Sequence, residues 1–174
     1  MSRVPLLPAL SAVALLALLG LLTLGRAITI AQDATPPPAS VGVTTQILGG
    51  GQPDAAPGET LGMRRNTFAP DGFVPAHMHP GALVLHVESG ELTYTVIEGT
   101  VQVQRATTAG TPGPIEQLGP GQETVLRAGD WLFEQGVVHT ARNATSGETV
   151  VLVASLTAGD MPFTVFHEMS TPAP

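Results

Sequence analysis

Beyond Val41 the chain alternates short apolar-rich runs with clusters of Gly, Pro, Asn and Asp. The runs are VGVTTQIL (41–48), ETLGMRRNTF (59–68), ALVLHV (82–87), ELTYTVIEG (91–99), TVQVQR (100–105), ETVLRAG (123–129), WLFEQ (131–135), VVHTARN (137–143) and TVVLVASL (149–156). They are rich in Val, Thr, Leu and Ile, the composition of strands bounded by turns. Alternation is explicit in two of them. Leu92, Tyr94 and Val96 share one face, and Val101 and Val103 alternate with Gln102 and Gln104. No segment here carries sustained helical periodicity with a cap. Regularly spaced strands without helices predict an antiparallel sandwich or barrel. Thr107 to Gln122, TTAGTPGPIEQLGPGQ, reads as a long surface loop, and Ser170 to Pro174 as a frayed tail.

The N-terminal pattern is different. Val4 to Leu24 carries no charge and has no polar face. As a helix it would extend about 31 Å, enough to cross a bilayer. Arg3 supplies a positive flank, and Thr29-Ile30-Ala31 offers small residues for cleavage before Gln32. Residues 1–31 are therefore expected to be a signal peptide or an uncleaved membrane anchor, and either one exports the rest of the chain. Residues 32–40, QDATPPPAS, read as a Pro-rich linker.

Composition narrows the functional classes. With 174 residues the chain has room for one domain with a hydrophobic core. The net charge is −7, lysine is absent and the arginines are scattered, which argues against nucleic acid as a partner. Cysteine is also absent, excluding disulfides, thiolate metal sites and cysteine nucleophiles.

The remaining chemistry lies in five histidines. His77 and His79 are two residues apart, so on a strand their rings share a face and form half of a site for Zn, Fe, Mn, Ni or Cu. His139 follows two valines after the turn at Gly136. A histidine in that setting is more commonly a packed residue than a ligand.

Together these segments resemble the two motifs of the cupin superfamily. Gly72, His77, His79 and Gly90 match the first motif, and Gly129, Gly136, His139 and Asn143 match the second, with Glu134 where proline is usual. The resemblance covers roughly residues 41–166. It implies a small antiparallel jelly-roll β-barrel, with a domain over 41–169, and His77, His79 and His139 as ligands of a divalent metal. The family's glutamate is replaced: counting back from Gly90 places Leu83 at its position. The expectation is a three-histidine site or none.

His86 shares the face opposite Leu83, Leu85 and Val87, so it is expected to point outward as a packing or interface residue, and to become a ligand only if a bulge shifts the register. Glu134 is expected in a turn near the barrel mouth, as a general base or a group supporting the ligands. Leu83, Leu85, Phe68, Phe73, Trp131 and Phe133 are expected to wall the pocket. His167 is read as structural or exposed. The N-terminal segment implies export, and the resemblance implies a metal-binding protein acting on a small molecule, with dioxygenase chemistry one implication. A non-catalytic ligand-binding or structural protein, with or without metal, is the alternative. Such barrels also pair through their outer sheet, which predicts a homodimer using Tyr94 or His86.

Overall fold

The computed structural model describes residues 39–107 and 112–167. The expected signal or anchor, most of the linker and the tail at 170–174 lie outside the described residues. Within them the chain forms β1 (Val41–Gly51), β2 (Glu59–Met78), β3 (Gly81–Ser89), β4 (Glu91–Glu98), β5 (Val101–Gln104), β6 (Ile115–Leu118), β7 (Glu123–Arg127), β8 (Trp131–Gln135), β9 (Val138–Arg142), β10 (Thr149–Ala158) and β11 (Val165–Phe166). No helix occurs among the described residues.

All pairings are antiparallel, in the order β6-β5-β8-β3-β10-β2-β9-β4-β7, with β1 and β11 added to β2. The long strand β2 is the seam of this arrangement. Its first half, through Phe68, pairs with β1 and β10, whereas its second half pairs with β9 and β11 and meets β1 only where Phe73 stands opposite Val41. The change of partner follows a bend at Pro70-Asp71-Gly72, where Asp71 takes a positive φ of 59°. Gly72 is required there: a Cβ would lie 2.8 Å from the carbonyl oxygens of both Ala69 and Gly42.

Arg105 joins the two ends of the strand order. Its guanidinium donates to Glu116 on β6, and to the Val125 carbonyl and Thr124 hydroxyl on β7. Asp130 accepts from the same guanidinium and from the Ala106 and Arg127 amides. These contacts bring the sheet close to a complete barrel, leaving fewer bare edges.

The alternation read from the sequence is the alternation of the core. Leu92, Tyr94, Val96, Val101, Val103, Leu126, Leu132 and Val151 are fully buried. Burial of each aliphatic side chain contributes about 1.5–3 kcal/mol. Three expectations are corrected. β2 runs through the bend to Met78 instead of stopping at Phe68, because Val74 and His77 find partners on β9. Part of the expected loop at 107–122 is β6, which pairs with β5. Tyr94 lies wholly inside the barrel and is not available to an outer-sheet interface.

Candidate metal centre

The second half of β2 carries Ala76, His77 and Met78, with His79 just beyond its end. His77 stands directly opposite His139 in the β2–β9 register. One cross-strand pair and one two-residue step thus bring the three rings together. Ring centroids are 4.1 Å apart for His77 and His139, 4.9 Å for His77 and His79, and 5.5 Å for His79 and His139. One nitrogen from each can be chosen so that all three lie within 4.8 Å of one another.

Hydrogen bonding orients two of the rings. His77 Nδ1 lies 2.7 Å from the Pro75 carbonyl oxygen, and His79 Nδ1 lies 2.7 Å from that of Phe163. A carbonyl only accepts, so each Nδ1 carries the proton and each Nε2 keeps its lone pair. His139 stacks on Tyr94, with centroids 4.5 Å apart, and its buried Nδ1 has no well-formed hydrogen bond.

Burial keeps these rings neutral. It lowers the pKa of His77, moderated by the Pro75 carbonyl and the Glu134 carboxylate. It lowers His79 to about 4 against the attraction of Glu134, and it lowers His139 well below the ordinary histidine value. Three neutral, convergent imidazoles, one with an orphaned buried nitrogen, suit a divalent metal of the Zn, Fe or Cu type. Carbonyls that fix the ring tautomers are the usual support for such ligands.

Glu134 is buried at 4% exposure, in strand β8 instead of the expected turn. Tyr94 Oη donates to its Oε2. Its carboxylate also lies 3.8 Å from His79 Nε2 and 3.5 Å from His139 Nδ1. Burial raises the Glu134 pKa, with His79 and the Tyr94 hydroxyl acting in the opposite sense. Burial, followed by the Glu134 charge, raises that of Tyr94 well above its ordinary value.

The histidines open onto a cavity of about 100 Å³ whose wall includes Phe68, Leu83 and Leu85, as expected. Phe73, Trp131 and Phe133 are not part of it. On β8 the alternation turns Leu132 and Glu134 inward, leaving Trp131 and Phe133 on the other face. His86 is likewise outside the cavity, and His167 is exposed, 3.6 Å from Glu98. Sequence reading missed Arg64 and Phe163, which also line the cavity. No local motif marks either residue; both reach the site through long-range pairing.

No protein-family model and no curated protein sequence matches the chain. Among solved structures it is similar to an oxalate oxidase, at 22% identity over 76% of this chain and 57% of that one, with a TM-score of 0.37. The chain therefore spans just over half of that oxidase. It is also similar to an RmlC-like cupin from Shewanella frigidimarina (17% identity, 71% of this chain, 86% of that chain, TM-score 0.37). A cupin 2 domain-containing protein from Halorhodospira halophila is similar at 15% identity over 73% of this chain and 71% of that chain, with a TM-score of 0.43. The described residues thus form an antiparallel β-barrel in which the two histidine segments meet in a buried three-histidine cluster able to bind metal.

Proposed function

We propose that the domain is a cupin-type metalloprotein that binds a divalent metal through His77, His79 and His139 and acts on a small molecule in the adjoining cavity. The observation that carries this reading is the convergence of three buried, neutral imidazoles, two of them with Nδ1 bonded to carbonyl oxygens. When bound, the ion supplies a concentrated positive charge, and iron would support dioxygenase chemistry. The other tasks fall to this chain's own residues. Glu134 supplies, from β8, the carboxylate absent at Leu83, and accepts a proton from the bound small molecule at Oε1. Tyr94 holds the other carboxylate oxygen and fixes its direction. Leu83, Leu85 and Phe68 exclude water from one side of the cavity.

The uncharged N-terminal segment supports placing this activity outside the cytoplasm, with the domain released or tethered. Oxygen uptake by Fe(II)-loaded protein, assayed against small thiols, phenols and carboxylates, tests the oxygenase reading. Iron-dependent uptake that falls in Glu134→Gln is expected. An absence of uptake with every panel member would overturn that reading and assign the metal-loaded domain to ligand binding.

A further inference from the structure

Arg64 occupies the same cavity as the histidines, yet it has no carboxylate partner among the described residues. Its neighbours in sequence and kind are paired. Arg65 donates two hydrogen bonds to Glu88, and Arg105 binds Glu116 and Asp130. The difference follows from the period of β2. Arg64, Asn66 and Phe68 all line the cavity, whereas Arg65 does not.

Arg64 is held firmly. Its guanidinium carbon sits 3.2 Å from the centroid of the Phe163 ring, the residue whose carbonyl orients His79. Its Nε is buried without a hydrogen-bond partner. Burying a charged donor without an acceptor is unfavourable, so the orphaned Nε at the cavity wall calls for an explanation. Asn66 adds to the polarity of this wall. Its Oδ1 accepts from Thr45 Oγ1 at 2.8 Å, which leaves the amide Nδ2 as a donor beside Arg64. A planar fork of N–H groups with an adjacent amide donor matches a carboxylate.

We infer that Arg64, assisted by Asn66, is the specificity-determining anion clamp of the cavity, and that the small molecule taken there is an organic carboxylate. The inference rests on the three-histidine reading. The carboxylate lies at the Arg64 wall while the rest of the molecule faces the histidines. The cavity volume, about 100 Å³, suits a small carboxylate.

The test is a titration of the full chain loaded with Co(II), using lactate and its uncharged analogue lactamide as probes. Cobalt content is measured by elemental analysis, and binding by calorimetry and by the visible Co(II) spectrum. Wild-type protein is expected to prefer lactate by about tenfold or more, as a charge-assisted contact implies. Arg64→Gln should lose that preference while keeping its cobalt. Arg64→Lys, which retains charge without the fork, should recover part of it, and Arg65→Gln should bind as wild type. Lactate affinity unchanged in a cobalt-loaded, folded Arg64→Gln protein would overturn the inference alone. So would failure of the cobalt-loaded wild type to prefer lactate over lactamide. Failure of the wild-type chain to take up Co(II) would overturn the three-histidine reading and this inference with it.

Discussion

Leu83 and Glu134 lie directly opposite each other on β3 and β8, both buried at 4% exposure and both lining the cavity. The position at which the cupin motif carries its glutamate is thus an apolar one, and its cross-strand neighbour brings a carboxylate to the same site. Glu134→Gln keeps the shape and removes the charge. Metal affinity, measured by competition with a chelator, should fall about 10–100-fold, as for other groups that support metal ligands. Tyr94→Phe should cause a smaller loss. The double variant Leu83→Glu with Glu134→Leu moves the carboxylate across the strand pair and should recover part of the affinity. Unchanged affinity in Glu134→Gln would remove Glu134 from the site.

The metal-free protein should lose stability as pH falls from about 6.5 to 4. Burial lowers the folded-state pKa of His77, His79 and His139, with His79 at about 4. In that window the unfolded chain binds more protons than the folded one, so stability rises with pH. Glu134, whose pKa is raised, acts in the opposite sense, as one group against three. Thermal midpoints of chelator-treated protein across this range check the balance. A midpoint that rose on acidification would contradict the neutral, buried histidines.

Asn143 fastens the turn after β9 to the bend in β2. It is fully buried, and its Nδ2 faces the carbonyls of Phe68, Ala69 and Gly147 while Oδ1 accepts from the Thr145 amide and hydroxyl. Asn143→Ala leaves these groups unpaired and should cost about 1–3 kcal/mol. The urea midpoint should drop with the slope unchanged. A wild-type midpoint would show that the bend holds without this side chain.

The legibility of the molecule in its sequence depended on range. The spacing of His77 and His79 is local, and the alternation at Leu92-Tyr94-Val96 and Val101-Val103 is local too; both appear in the structure as read. His139 is marked only by the resemblance of its segment to a motif, and its placement opposite His77 comes from the β2–β9 register. The sequence marks Glu134 as a candidate, but its burial is not legible there, because only the pairing of β8 with β3 turns it inward. The wall assigned to Trp131 and Phe133 failed for the same reason, since one step along β8 changes the face. β6 was hidden by its Gly- and Pro-rich flanks. Arg64 left no signal beside the adjacent Arg65, and only the strand period separates their roles.

The central claim is that His77, His79 and His139 hold a metal that the nearby His86 does not touch. Elemental analysis of purified wild-type, His139→Ala and His86→Ala proteins, each verified as folded by circular dichroism, tests it most directly. About one metal ion per chain is predicted for the wild type and for His86→Ala, with little or none in His139→Ala. A metal content in His139→Ala equal to that of the wild type would contradict the account.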